Sequence, residues 1–301
     1  MNIDINTRFI TLIGTPLGQS FAARMQNAGY QAGGMNLRYF YTEAGEEHLE
    51  EIINGIRYMP SFAGCAVTKP NKVTVLQFLD ELDPLCEKMG ACNTIVKKEG
   101  KLVGYNTDSL GFLRSITEEA GIRVPEHTYF CFGAGGAGRA ICSILAYSGA
   151  KKIYITDIFP QSAEALARDI NTHFAQVAQT VSYGDYSNIA ESTVVMNASG
   201  IGMGKTVGHS PLPPEYILPT QLYFDACYNP DKTQFLLNAE EKGCRILNGL
   251  GMSLYQGVAQ IELWTNEKAP VEAMRKELMT ILAEKNWTAN HTGSDTFQCG
   301  R

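Results

Sequence analysis

The sequence predicts an α/β chain of two domains, an α/β substrate-binding domain and a Rossmann dinucleotide-binding domain, with mostly parallel sheets. Three observations carry this. Short apolar runs alternate with amphipathic, helix-like runs along most of the chain, the pattern of strands joined by crossover helices. A glycine-rich turn, Gly133-Ala134-Gly135-Gly136-Ala137-Gly138, follows one such apolar run and opens a helix of small residues. The length of 301 residues suits about two domains at roughly 100–200 residues each.

Taken in order, residues 9–14 read as a strand, 20–32 as a helix, 37–42 as a strand and 46–58 as a helix. Residues 62–68 form a strand, after which Pro70 opens a helix in its first turn, where a missing N–H costs nothing. Residues 94–98 and 102–105 make a hairpin around Lys-Glu-Gly, and Asp108 or Ser109 caps the next helix, which runs to about Ala120. Then come a strand at 129–132, the glycine turn and a helix to Ser148. A strand at 152–156, a helix at 162–174, strands at 193–196 and 222–225 and a helix at 234–242 continue the alternation. Two helices, 252–264 and 271–285, close the fold, and the polar stretch 288–301 lacks periodicity and is expected to be mobile.

Composition narrows the function. The apolar fraction of 45% and charged fraction of 19% are those of a folded globular chain. A net charge of −6 argues against a general binder of nucleic acid or of anionic membranes. No charged segment followed by an apolar one opens the sequence, and the most apolar stretch, 129–150, holds five glycines and an arginine, so neither a secretory signal nor a membrane span is expected. Eight cysteines without a CxxC pair read as reduced thiols in a cytoplasmic protein, and five scattered histidines give no metal-ligand spacing, so no metal is expected.

The glycine turn has a physical role. Gly133, Gly135 and Gly138 let the chain turn tightly and bring backbone close to a pyrophosphate, while the N–H groups of Gly136, Ala137 and Gly138 at the helix start face the anion. Asp157, 19 residues after Gly138 at the end of the next strand, accepts hydrogen bonds from the adenosine ribose. The plain alternatives are a tight strand-to-helix turn and a solvated loop acid. An Asp157 facing the ribose repels a 2′-phosphate, and Ile158, Phe159 and Pro160 supply no cation, so NAD is expected as cofactor, with NADP weaker.

Several further motifs stand in a fixed order: Val67-Thr68-Lys69-Pro70-Asn71-Lys72, Gly90-Ala91-Cys92-Asn93-Thr94, Tyr105-Asn106-Thr107-Asp108 with Gly111, Asn197 to Met203, Tyr228-Asn229-Pro230, and Gly249 to Gly257. Over residues 13–264 the chain resembles the shikimate/quinate dehydrogenase family. The resemblance implies Lys72, not Lys69, as the catalytic lysine and Asp108 as the catalytic aspartate. It implies Ser20, Thr68, Asn93 and Gln256 as substrate ligands, and Tyr228, Gly249, Met203 and Met252 near the nicotinamide. Residues 1–107 with 250–287 then bind a cyclic hydroxy acid, 108–249 bind the dinucleotide, and 288–301 form a tail; a homodimer is one assembly the resemblance allows. The expected reaction is oxidation of a ring 3-hydroxyl of shikimate, quinate or a close relative. Read singly, Lys72 is a solvated charge, Asp108 a helix cap, Asn93 a turn residue and the methionines packing groups; it is their joint pattern that points to chemistry.

The chain also departs from the family pattern. Of two hydroxyl residues that normally hold the substrate carboxylate, Ser20 remains and Ala22 replaces the second; Ala23 stands for a proline and Ala66 for a frequent asparagine. Arg24, four residues after Ser20, is a candidate compensator, as are Thr15 and Gln19; otherwise Arg24 is an ordinary exposed helix arginine. The expectation is an intact reaction class with the substrate in question, an aminoshikimate-like ring included. A non-catalytic dinucleotide-binding regulator is the alternative from another class. A methylene-folate type of dehydrogenase is opposed by Tyr105-Asn106-Thr107-Asp108 and Tyr255-Gln256-Gly257.

Overall fold

The computed structural model describes residues 3–18 and 20–291. Two six-stranded sheets organise them. The first sheet contains β1 (Arg8–Gly14), β2 (Leu37–Glu43), β3 (Phe62–Val67), β4 (Glu81–Leu82), β5 (Thr94–Lys98) and β6 (Lys101–Tyr105), in the order β2-β1-β3-β5-β6-β4. The strands β2, β1 and β3 are parallel, as are β6 and β4, whereas β5 runs antiparallel to both β3 and β6, so three of the five pairings in this sheet are parallel. The hairpin β5–β6 turns through Glu99 and Gly100, both at positive φ (50° and 83°), the geometry that matches strand twist in a two-residue loop.

A register shift in β3, where Phe9 pairs with Phe62 but Ile10 with Gly64, interrupts the alternation of its faces: Ala63 and Ala66 join a core with Met25 and Tyr30 of α1 (Ala22–Ala32), while Phe62, Cys65 and Val67 join another with Leu49, Ile53 and Ile56 of α2 (Leu49–Arg57). The expected helix at Pro70 does not form. The Lys69–Pro70 peptide is cis, the chain turns through residues 71–73, and a short 3-10 turn, Thr74–Phe78, follows. Two long-range bonds hold this loop: Asn71 Nδ2 donates to the Ala44 carbonyl (2.9 Å), and the Lys72 carbonyl accepts from Cys92 N (2.8 Å). The sequence reading also passed over β4 and the short helix α3 (Pro84–Met89), whose N-cap Asp83 accepts from Leu85 N.

The second sheet is parallel throughout: β7 (Thr128–Phe132), β8 (Lys152–Thr156), β9 (Ala178–Thr180), β10 (Val194–Asn197), β11 (Leu222–Asp225) and β12 (Arg245–Asn248), ordered β12-β11-β10-β7-β8-β9. Read from β9, this is the 3-2-1-4-5-6 order of the doubly wound Rossmann fold, with its switch point between β7 and β10. The helices α5 (Gly136–Tyr147) and α6 (Pro160–His173) cover one face, and α7 (Gln234–Glu241) packs on the other. The strands β9 and β12 were not foreseen; β9 has three residues and β12 begins on an arginine.

Two helices join the halves. The first, α4 (Thr107–Arg114), is capped by Asn106, whose side chain accepts from Ser109 N (3.4 Å), rather than by Asp108 or Ser109. Its Phe112 meets Phe224 of the second sheet edge-on at 5.0 Å. The second, α8 (Leu250–Thr265), returns to the first sheet, where Trp264 Nε1 donates to the Ile95 carbonyl (2.9 Å). The last helix, α9 (Val271–His291), runs past residue 288, where the sequence reading began a tail; residues 292–301 lie outside the described residues. All seven cysteines among the described residues are free and buried. Among those residues no helix is long and apolar enough to cross a membrane.

The helices α4 and α8 cross at Gly111, where a Cβ would lie 2.4 Å from the Met252 carbonyl oxygen and 2.6 Å from Gln256 N. Both obstacles are backbone, which side-chain rotation does not relieve. Gly111→Ala is therefore expected to lower the unfolding free energy by roughly 1–3 kcal/mol, the usual cost of overpacking, despite its better helix propensity. A denaturant titration checks this; an unchanged midpoint contradicts the crossing described.

Candidate active site

A cavity of about 320 Å³ opens where the carboxyl ends of β1 and β3 face α4 and α8, and its walls include Ser20, Thr68, Lys72, Asn93, Asp108, Tyr228 and Gln256. Six of these are the catalytic and substrate residues anticipated from the motifs; the seventh, Tyr228, was anticipated beside the nicotinamide. They come from both halves of the fold. Lys72 Nζ donates to Asp108 Oδ2 at 2.6 Å, and Asn93 Nδ2 donates to Asp108 Oδ1 at 2.8 Å. Both oxygens of one carboxylate are thus engaged, by a cation and by an amide.

The orientation of Asn93 is fixed by backbone. Its Oδ1 accepts from the Thr107 N–H at 2.7 Å, a group that only donates, so the amide nitrogen faces Asp108. Lys72 and Asp108 side chains keep 30% and 27% exposure, so the ion pair borders the cavity rather than being sealed in the core. Tyr228 meets Phe21 edge-on at 5.8 Å, and burial pushes its phenol up from the ordinary range, keeping it a neutral donor near pH 7.

Four further polar or aromatic side chains line this cavity without having been singled out in the sequence: Gln26, Tyr39, Gln260 and Phe21. The Tyr39 hydroxyl and Gln26 Oε1 are buried and have no hydrogen-bond partner in the protein. A glutamine in the buried stripe of α1, beside Met25 and Tyr30, was the available signal. Ala22 and Ala66 line the same cavity and present only methyl groups.

The proposed compensators lie elsewhere. Arg24 turns away from the cavity toward α9, pairing with Glu277 (2.7 Å) and Glu284. Ser20 precedes the helix instead of sharing a turn with Arg24, so the helical spacing between them does not apply. Thr15 Oγ1 donates to Glu43 at 3.1 Å, and Gln19 lies outside the described residues.

A second cavity, about 300 Å³, lies at the carboxyl ends of β7, β8 and β10 and is lined by Gly133, Gly135, Thr156, Asp157, Phe159 and Ser199, among others. Gly133 has φ +103°, and a Cβ on Gly138 would lie 2.0 Å from the Gly133 carbonyl oxygen, so neither position accepts a side chain. At Gly135 and Gly136 a Cβ would meet nothing within 4 Å, leaving the backbone of the turn open to a ligand. Asp157 Oδ2 accepts from Ala134 N (2.7 Å) and Oδ1 from Phe159 N (2.9 Å), which ties the acid to the glycine turn. The Thr156 hydroxyl, buried beside it, has no protein partner. The start of α5, formed by Gly136, Ala137 and Gly138, adds unsatisfied N–H groups. These features fit a dinucleotide.

Six expected cofactor residues line neither cavity: Gly136, Ala137 and Gly138, at the start of α5, and three that lie elsewhere. Met203 stands 46% exposed ahead of a short 3-10 turn. Gly249 caps α8 against the Ala226 backbone, where a Cβ would lie 2.0 Å from its carbonyl oxygen. Met252 packs on the core of the second half.

Comparison with known proteins agrees with this geometry. A family model of the shikimate dehydrogenase substrate-binding domain matches residues 12–95, and one of the shikimate 5′-dehydrogenase C-terminal domain matches 249–279. The chain is 40% identical over 286 residues to a shikimate dehydrogenase (NADP(+)) of Desulforamulus reducens, covering 94% of this chain and 98% of that one. Among solved structures, shikimate 5-dehydrogenase from Listeria monocytogenes in complex with shikimate and NAD superposes with a TM-score of 0.88 at 36% identity, over 92% of this chain and 98% of that one. Quinate dehydrogenase from Corynebacterium glutamicum in complex with NAD gives 0.85 at 28% identity, over 91% and 99%. Similarity at this level over nearly the whole length, with the same motifs gathered around one cavity, establishes that the chain belongs to the shikimate/quinate dehydrogenase family.

Proposed function

We propose that this chain is an NAD(P)-dependent dehydrogenase that interconverts the ring 3-hydroxyl of shikimate, or of a close cyclic hydroxy acid such as quinate, and the corresponding ketone. The observation that carries the reading is the Lys72–Asp108 pair, held by Asn93 on the wall of a cavity sized for a small ring. The named relatives act as the second support: shikimate and NAD occupy the Listeria monocytogenes enzyme. Residues 1–107 with 250–287 serve as the acid-binding unit and 108–249 as the dinucleotide unit in this reading.

When bound, the dinucleotide supplies the hydride acceptor. The chain's own residues do the rest. Lys72 Nζ hydrogen-bonds the reacting oxygen: as an ammonium it gives that oxygen a proton when the ketone carbon gains hydride, and in the oxidising direction it first passes a proton to solvent and then, as the neutral amine, takes the hydroxyl proton as the carbon loses hydride; Asp108 holds that nitrogen in place and offsets the charge of its protonated form. Asn93 bonds a neighbouring hydroxyl, as do Thr68 and Gln256, and Ser20 faces the acid group. Tyr228, in the walls of the same cavity beside Phe21, shields the ring from water.

For the cofactor we propose a preference for NAD. In this reading Asp157, in the walls of the second cavity, accepts from the ribose, and the described residues of those walls include no lysine or arginine to hold a 2′-phosphate. The Desulforamulus reducens relative is named for NADP(+), so the preference distinguishes this chain from it.

Lys72→Ala is expected to lower kcat by ~10²–10⁴-fold while dinucleotide affinity changes little, as befits loss of an acid–base group. Initial rates with shikimate and quinate, alongside cofactor titration, check this. Turnover matching wild type in the variant would remove Lys72 from the chemistry; cofactor binding without turnover of a broad panel of ring alcohols would point to a regulator. Wild type should form NADH faster than NADPH at equal cofactor concentration, and Asp157→Ser should narrow that ratio. A wild-type preference for NADP overturns the role given to Asp157.

A further inference from the structure

The Gln26 amide is fully constrained on one side and unpartnered on the other. Its side chain has no solvent exposure, and its Nε2 donates to the Gly257 carbonyl (3.1 Å) and to Gln260 Oε1 (3.0 Å). The Gly257 carbonyl only accepts, so the atom facing it is the nitrogen, and the atom it meets on Gln260 is the oxygen. Gln260 Nε2 then donates to Thr94 Oγ1 (2.9 Å), and Thr94 Oγ1 donates to Asn93 Oδ1 (2.9 Å). At the far end the Thr107 N–H fixes Asn93, and Asn93 donates to Asp108. Backbone groups at both ends therefore set every amide in the chain, and the one acceptor left over is Gln26 Oε1, buried on a residue that lines the substrate cavity.

We propose that Gln26 is a specificity-determining residue: its Oε1 accepts a hydrogen bond from a donor substituent, a ring hydroxyl or amine, of the bound substrate. This rests on the reading of the cavity as the site of a cyclic hydroxy acid. The chemistry is selective. A carboxylate or a ketone offers this oxygen only lone pairs and is repelled, whereas a donor relieves a buried unsatisfied acceptor. Ala22 and Ala66, in the same walls, offer no competing polar atom. The Gln260–Thr94–Asn93 chain makes Gln260 a positioning residue, which keeps Gln26 Oε1 facing away from α8.

The experiment compares wild type, Gln26→Met, Gln26→His and Gln260→Leu. The substrates are shikimate, its analogues lacking one non-reacting hydroxyl each, and analogues with an amine in its place. Gln26→Met is expected to raise KM for shikimate about tenfold, the loss of one hydrogen bond, with kcat and the dinucleotide KM within twofold of wild type. One deoxy analogue should show the same loss on wild type and no further loss on Gln26→Met. Gln26→His, which keeps a donor and an acceptor, should restore most of the affinity, and Gln260→Leu, which leaves only the Gly257 bond to orient Gln26, should discriminate against that analogue less than wild type does. The amine analogue tells which donor is preferred. A shikimate KM within twofold of wild type in Gln26→Met overturns the inference, as does a loss that is additive with every deoxy analogue. Should that variant fail to fold, a wild type that tolerates removal of each non-reacting hydroxyl overturns it as well. No turnover of shikimate or quinate by cofactor-loaded wild type instead overturns the functional reading. Thermal stabilisation by the same ring polyols then decides the inference: stabilisation lost in Gln26→Met supports it, and stabilisation equal in both proteins, or absent from both, overturns it.

Discussion

The site is organised around one carboxylate with both of its oxygens claimed. Asp108 accepts from Lys72, on the loop after β3, and from Asn93, just before β5, while its own backbone lies in the first turn of α4. Both donors belong to the first sheet, and α4 packs into the core of the second through Phe112. The acid is therefore the point at which the two halves are registered to each other. Its position also suits its charge, since the start of a helix stabilises an anion. Asn106 completes the arrangement: by capping α4 it leaves the Asp108 carboxylate free for Lys72, whereas an Asp108 acting as the cap would turn the same oxygens toward backbone N–H groups.

What the sequence made legible follows from how local each signal is. The glycine turn, the hairpin around Glu99 and Gly100, and most helices and strands rest on residues close in sequence, and so were read with small errors at their ends. Lys72, Asn93 and Asp108 lie on three separate segments, yet each sits in a short motif of its own, and the motifs together named them. The Pro70 helix failed because its fate depends on distant partners: the Asn71 bond to Ala44 and the Lys72 bond to Cys92 hold the segment as a loop. Arg24 is the exposed helix arginine of its plain reading, and the compensator reading fails for a related reason. The helix starts at Ala22, so Ser20 is not on its surface, and the ion pairs that draw Arg24 outward come from residues more than 250 positions away. Gln26 and Gln260 are 234 positions apart, and no local pattern joins them.

In the proposed reading, reaction and recognition fall to different segments of the chain. The groups assigned to proton handling stand on segments locked by backbone contacts: the Lys72 carbonyl to Cys92, the Thr107 N–H to Asn93 and the Asn106 cap. The walls that meet the rest of a ring come largely from α1, β2 and the inner face of β3, through Ala22, Gln26, Tyr39 and Ala66. Changing one of these alters the shape and hydrogen-bonding character of the cavity without moving Lys72 or Asp108. Such a division allows a single scaffold to keep its redox step while its substrate varies.

Gln26 and Tyr39 give that division a direction in this chain. The two alanines remove polar contacts from the cavity, and the buried Gln26 oxygen and Tyr39 hydroxyl supply polar atoms that the protein itself does not satisfy. An unsatisfied buried polar atom costs stability in the free protein, so a ligand that completes it gains more than an ordinary contact with a solvated group. A ring that cannot complete them leaves that cost in place and gains nothing from them. In the proposed reading, selectivity at this end of the cavity therefore comes from the pattern of donors and acceptors around the ring, with Lys72 the one cation among the described residues of its walls. In that reading, discrimination then falls mainly on substrate affinity, while the rate of the proton and hydride steps is assigned to the Lys72, Asp108 and Asn93 cluster.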